Sequence, residues 1–236
     1  SAIVPVLNGE KFLKNFDTKV LSYSTLVEFI FVCSKSSDKS EEILLGLDKD
    51  FENISVVFQD SNVYEAMNIG TLHSSSKYLI FLGVDDALIQ NDLIELLNFL
   101  DTTNAPMVLG KVRMHNNHTK KTIEPKLKKF PAAYHHQSIL FNKNFISRNK
   151  IKYDYKYKIH SDFDFIQKII ISMKTDESVQ TVDLSVALVR AGGMSSSGRH
   201  FRTSLIEIFT ILKKYKGLMR LESLIIFTRI IFYFLR

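Results

Sequence analysis

The first hundred residues of this 236-residue chain alternate short apolar runs with amphipathic ones, joined by connections of only a few residues. Ala2–Leu7, Val27–Val32, Ile54–Phe58 and Tyr78–Leu82 read as strands, and Glu10–Ser22, Lys39–Leu47, Val63–His73 and Leu88–Leu100 as helices. Strands separated by helices pair in parallel through βαβ crossovers rather than as hairpins. The expected fold is therefore α/β, a doubly wound, mostly parallel sheet flanked by helices. After Pro106 the pattern changes to extended segments, Met107–Met114 and Gln137–Asn142, around a polar Lys-rich stretch from His115 to Lys129. Ser161–Met173 reads as helix, Val179–Val189 as strand, and the chain reads as helical from Thr203 onward. This divides it into one α/β domain over residues 1–200 and a helical tail over 201–236.

One strand carries chemistry at its end. Lys77–Asp86, KYLIFLGVDD, is a continuous apolar run that leads into two adjacent carboxylates. Such a run suits a central strand covered on both faces, and open α/β sheets bind ligands beyond the carboxyl ends of their strands. Asp85 and Asp86 are thus candidates to hold a Mn²⁺ or Mg²⁺ ion together with substrate phosphates, because these hard cations take carboxylate oxygens. The competing reading is that one of them caps the following helix. Neither a GxGxxG loop nor a GxxxxGK[ST] loop is present, so a bound nucleotide would be held by carboxylates and metal instead of a glycine cradle.

Composition narrows the partners. The net charge of +6 resides entirely in residues 199–236, which carry eight Lys or Arg against two acids. A localised anionic partner is favoured over a broad nucleic-acid surface. A single cysteine, Cys33, rules out an internal disulfide and suits the cytoplasm. The chain opens directly on a strand, so no signal peptide is expected. A homo-oligomer is compatible with the same composition.

Several blocks, in order, resemble the family 2 glycosyltransferases, enzymes of the GT-A fold, up to about Arg199. These are AIVPVLNG, FIFVCSKSSDKS, QDSNVYEAMNIG, YLIFLGVDDAL, HHQSILF, SDFDF and AGGMS. The resemblance implies that Pro5, Leu7 and Asn8 line the nucleotide pocket, that Asp60 meets the base, and that Asp85 meets the ribose or the diphosphate. It implies Asp86 as metal ligand, Asp162 as general base toward the acceptor hydroxyl, and His136 and Gln137, with Asp164, facing the acceptor or sugar. Cys33 occupies a nucleoside-contacting position where the family usually has Asp, and a thiol accepts hydrogen bonds poorly.

Local structure offers other roles for some of these residues. Asp38 with Glu41 has capping-box spacing, as does Ser161 with Asp164, and Asn68 and Gly70 read as helix-orienting and C-cap residues. The Lys-rich stretch reads as a solvated face.

The function implied is inverting transfer of a sugar from a nucleotide sugar, with UDP the expected carrier, to a lipid-linked surface-glycan precursor. The alternatives are a catalytically degenerate sugar-nucleotide-binding module and a sugar nucleotidyltransferase. Leu224–Leu235 is too short to span a bilayer and follows a basic stretch, so residues 203–236 read as an interfacial helix at the inner face of the membrane or as a helix docked on the core.

Overall fold

The computed structural model describes residues 1–14, 26–116, 121–123, 135–190 and 201–215. The strands are β1 (Ala2–Val6), β2 (Phe29–Cys33), β3 (Ile54–Phe58), β4 (Tyr78–Phe81), β5 (Ala87–Leu88), β6 (Met107–Asn116), β7 (Lys121–Ile123), β8 (Ile139–Asn142) and β9 (Gln180–Arg190). The helices are α1 (Glu10–Leu13), α2 (Ser40–Asp50), α3 (Val63–His73), α4 (Leu93–Thr102), α5 (Lys143–Arg148), α6 (Ser161–Ser172) and α7 (Phe201–Lys214).

All nine strands form one sheet in the order β3-β2-β1-β4-β8-β6-β9-β5, with β7 on β6. The β3-β2-β1-β4 half is wholly parallel. Beyond it, β8 runs against both β4 and β6, β9 lies parallel to β6, and β5 and β7 run antiparallel to their partners. Six of the nine strands therefore point the same way, as the βα alternation predicts.

Continuous apolar runs made the central strands because both sheet faces are covered. Ala2, Val4 and Val6 of β1 face a core shared with Leu44 of α2 and Leu93, Leu96 and Leu100 of α4. Ile3 faces the opposite core, with Tyr64 and Met67 of α3, Phe145 of α5 and Phe165 and Ile169 of α6. Period-two alternation along each strand assigns its side chains to the two cores.

Two expected boundaries move. The helix expected over Leu88–Leu100 starts at Leu93, because Ala87 and Leu88 pair instead with Leu188 and Ala187 of β9. The polar turn between them is tied down by the Asp92 carboxylate, which accepts the Ser185 N–H at 2.7 Å. Gly70 is not a C-cap, since α3 continues to His73; it marks the place where α3 touches β1, and a Cβ there would strike the Ile3 side chain. The later part of the expected helix Glu10–Ser22, most of the Lys-rich stretch, the AGGMS block and Leu224–Leu235 lie outside the described residues.

Candidate functional site

The carboxyl ends of β1, β2 and β4 converge on one side of the sheet, where a cavity of about 510 Å³ opens. Pro5, Leu7 and Ser34 line it from the strand ends, Ser61, Asn62 and Tyr64 from the start of α3, and Tyr155, Tyr157 and Lys158 from the segment leading into α6.

Of the residues expected to bind nucleotide, Pro5 and Leu7 line this cavity directly. Asn8 stands beside it and joins the loops after β1 and β2. Its side-chain oxygen accepts the Ser37 N–H at 2.8 Å, and its own N–H donates to Ser36 Oγ at 3.1 Å. Its φ of 51° is left-handed, a conformation asparagine tolerates better than most residues. Asp60 is exposed at the end of β3, next to the lining residue Ser61.

Cys33 does not line the cavity. It is buried in the core beside Phe31 and Val6, where its thiol donates to the Ser34 carbonyl at 3.4 Å, and burial pushes its pKa up. The polar group that β2 presents to the cavity is Ser34, whose hydroxyl donates to the Ser61 carbonyl at 2.7 Å.

The two carboxylates after β4 have different surroundings. Asp85 is exposed, whereas Asp86 is only 6% exposed. The Asp86 carboxylate accepts N–H groups from Gly83 at 2.8 Å and Arg190 at 3.3 Å, and Gln137 also donates to it. Burial, with the adjacent Asp85 charge adding to it, pushes the pKa of Asp86 up to about 6 against these hydrogen bonds.

Gly83 makes room for the pair: a Cβ there would lie 2.8 Å from Asp85 Oδ1 and 3.0 Å from Asp86 Oδ2. Both carboxylates thus fold back over one glycine, an arrangement that fits a divalent cation completed by phosphate oxygens. Among the described residues no cluster of three His, Cys, Asp or Glu side chains forms an all-protein cage. Neither carboxylate caps α4, whose N-cap position is Asp92.

Asp162 lies in the first turn of α6, half-buried, with Oδ1 accepting the Phe163 N–H at 2.7 Å. Burial raises its pKa to about 6, and the negative charge of Glu207 adds to the rise. Tyr64, which lines the cavity, lies within electrostatic reach of Asp162, and its hydroxyl donates to the Ile159 carbonyl at 2.5 Å. Asp162 itself is not among the residues that line the cavity; its link to the cavity wall is through Tyr64. A carboxyl poised near neutrality is suited to general-base work.

His136 faces inward. Its ring stacks on Phe81 with centroids 5.4 Å apart, and Nε2 is 2.7 Å from the Tyr153 hydroxyl. Burial lowers its pKa to about 4, so the ring is neutral and buttresses the site floor. Asp164 is fully buried and committed elsewhere. Lys168 at 2.8 Å, Lys214 at 2.7 Å and the Tyr215 hydroxyl at 2.9 Å take its oxygens. Burial alone would raise its pKa, but those partners bring it below the ordinary carboxylate value. The capping-box reading of Ser161 and Asp164 is overturned, because the Ser161 hydroxyl has no hydrogen-bond partner. The capping box at Asp38 does not form either: the N-cap of α2 is Lys39, while Asp38 accepts the Ser40 and Glu10 N–H groups and Glu41 accepts the Ser36 N–H.

Sequence reasoning missed Ser34, Tyr64, Tyr155, Tyr157 and Lys158. The last three belong to KYDYKYKIH, an aromatic and basic run immediately before the acidic block, and that run was the available signal.

Comparison with known proteins bears on the family and the fold. Residues 1–170 match the family model described as "Glycosyl transferase family 2". An uncharacterized glycosyltransferase of Haemophilus influenzae is 27% identical, the match covering 96% of this chain and 92% of that protein. The poly(ribitol-phosphate) beta-N-acetylglucosaminyltransferase TarP of Staphylococcus aureus is 27% identical over 91% of this chain and 72% of its own length. Dolichyl-phosphate beta-glucosyltransferase ALG5A of Trichomonas vaginalis is 29% identical over 60% of this chain, and the match spans 47% of that relative. Among solved structures, S. aureus TarS in complex with UDP-GlcNAc superposes with a TM-score of 0.68 at 15% identity, covering 89% of this chain and 66% of that one. TarS in complex with UDP gives 0.66 at 16% identity, covering 88% of this chain and 64% of that one.

Proposed function

The chain belongs to glycosyl transferase family 2, and from that premise we propose that it moves a sugar from a UDP-sugar to a glycan hydroxyl with inversion at the anomeric carbon. The observation that supports this reading is the cavity at the strand ends, lined by Pro5, Leu7 and Ser34, with Asp162 in the first turn of α6 within electrostatic reach of the lining residue Tyr64. The UDP preference is supported by TarS, whose solved structures contain UDP and UDP-GlcNAc.

In the proposed reaction Pro5, Leu7 and Ser34 hold the nucleoside end of the donor. Asp162 accepts the proton of the incoming acceptor hydroxyl as its oxygen attacks the anomeric carbon opposite the leaving diphosphate. A positioned base of this kind contributes roughly 10²–10⁴-fold to rate. Asp85 and Asp86 would hold Mn²⁺ or Mg²⁺, which when bound neutralises charge developing on the diphosphate. The accessible ligand of the two is Asp85; Asp86 anchors the turn through Gly83 and Arg190 and contributes its remaining lone pairs. Tyr155, an exposed residue of the cavity lining, offers an aromatic face to a sugar ring at the cavity rim.

A lipid-linked acceptor at an anionic membrane surface is the proposed partner. The outer face of α7 exposes Ile206 and Phe209, at 67% and 62%, between Arg202 and Lys213, and most of the remaining basic tail follows it in sequence. Among the described residues no helix is long and apolar enough to cross a membrane.

The reading is tested by melting the protein with UDP, GDP, dTDP or CMP, each with and without Mn²⁺, since a ligand bound to the native state raises the melting point. A Mn²⁺-dependent rise with UDP is expected, and Asp85→Ala should abolish it. No rise with any nucleotide would overturn the donor assignment in favour of a degenerate module.

A further inference from the structure

Helix α7 lies beyond residue 170, where the family match ends, yet it grips the helix that carries Asp162. Helix α6 starts without a side-chain cap of its own: His160 precedes it and makes no capping hydrogen bond. The N–H groups at a helix start need acceptors, and the helix dipole favours a negative one.

Helix α7 places a carboxylate just ahead of that start, on the segment that leads into it. Glu207, 7% exposed, takes the Lys158 N–H at 2.6 Å through Oε1 and the Ile159 and His160 N–H groups, both at 3.0 Å, through Oε2. Two further contacts fix the same pair of helices. Ser204 Oγ lies 2.7 Å from His160 Nε2, and Lys214 and Tyr215 bond the Asp164 carboxylate. Tyr157, Phe163, Ile211 and Tyr215 fill the space between them.

We propose that Glu207 is a positioning residue for Asp162: by accepting three successive N–H groups ahead of α6, it fixes the segment that sets the first turn in which Asp162 sits. The inference rests on the reading of Asp162 as the base. A neutral cap would satisfy those donors equally well. The carboxylate adds a second effect, because its charge opposes ionisation of Asp162 and keeps that group a better proton acceptor near neutral pH. The other titratable groups facing Asp162 are Tyr64 from α3 and Tyr153 from the segment before α6.

The test uses the full chain with Glu207→Ala and Glu207→Gln. Three readouts are taken: amide hydrogen exchange, UDP release from UDP-GlcNAc with Mn²⁺ across pH, and the NMR titration of the Asp162 carboxyl. In Glu207→Ala the amides of 158–160 should exchange at least about tenfold faster, as expected for the loss of a buried acceptor. The kcat for UDP release should fall at least about tenfold with KM nearly unchanged, the mark of a transition-state effect. Glu207→Gln keeps an acceptor oxygen, so it should restore most of the protection and rate. It removes the charge, so the acid limb of the pH profile and the Asp162 titration should both move to lower pH.

Unchanged exchange at 158–160 in Glu207→Ala would overturn the proposal. So would a loss confined to KM, or an Asp162 titration that stays in place in Glu207→Gln. If the wild type releases no UDP from UDP-GlcNAc in any condition, the base assignment fails, while exchange and carboxyl titration still decide whether Glu207 positions Asp162.

Discussion

The burial of Asp162 carries a stability cost beside the chemistry proposed for it. Burial raises its pKa from an ordinary 3.8 to about 6, so the folded protein binds its proton more tightly than the unfolded chain does. A carboxyl shifted upward stabilises the fold only while protonated. That contribution is present below the unfolded value and is lost as pH rises through about 6. At neutral pH the ionised form therefore costs stability, up to roughly 3 kcal/mol for a difference of this size. Asp162→Asn keeps an acceptor for the Phe163 N–H and removes the charge. It should melt higher than wild type at pH 7.5, lose that advantage near pH 4, and transfer sugar about 10²–10⁴-fold more slowly. Melting curves across pH, with a turnover assay, check both halves, and normal turnover would remove Asp162 from the mechanism. Asp86 differs in kind: both its oxygens already hold the turn after β4, so its burial serves the shape of the site.

At the scale of elements, the approach of α3 to β1 sets one wall of the cavity. Gly70 allows that approach because any larger side chain would collide with Ile3. Gly70→Ala should lower stability by about 1–3 kcal/mol through overpacking, despite the higher helix propensity of alanine. Urea unfolding reads the size of the loss, and a more stable variant would refute the close packing. The same helix carries Asn68, which pairs with both the backbone N–H and carbonyl of Tyr153 at 2.9 Å, and Tyr64, which holds the Ile159 carbonyl. Helix α3 thus anchors the segment leading into α6 from one side, while α7 anchors it from the other. Its limits, Val63 and His73, follow from the sequence pattern, but no periodicity announces which neighbours its polar residues meet.

Across the whole molecule, α7 joins the domain that the sequence pattern separated from it at residue 200. Without α7, Tyr157 and Phe163 would lose their cover, the N–H groups of 158–160 their acceptor, and Asp164 its contacts with Lys214 and Tyr215. Breaking a buried charge pair by removing one partner costs about 3–5 kcal/mol, less here because Lys168 still pairs with the surviving Asp164. A chain ending at residue 215 should stay folded, whereas one ending at residue 200 should be insoluble or melt far lower. Equal melting points for the two would show that α7 is dispensable.

The apolar runs, their period and the turns between them determined the α/β sheet, the strand ends that open on the cavity and the helix bearing Asp162. Those features are local, so each is written in neighbouring residues. Tertiary structure alone decided that Cys33 faces the core, that Asp86 is buried while Asp85 is open, that Asp164 pairs with α7, and that Glu207 holds the segment ahead of α6. Burial and charge pairing depend on groups that lie about 50 to 100 residues apart along the chain. No local pattern encodes which of two adjacent carboxylates ends up beneath another strand.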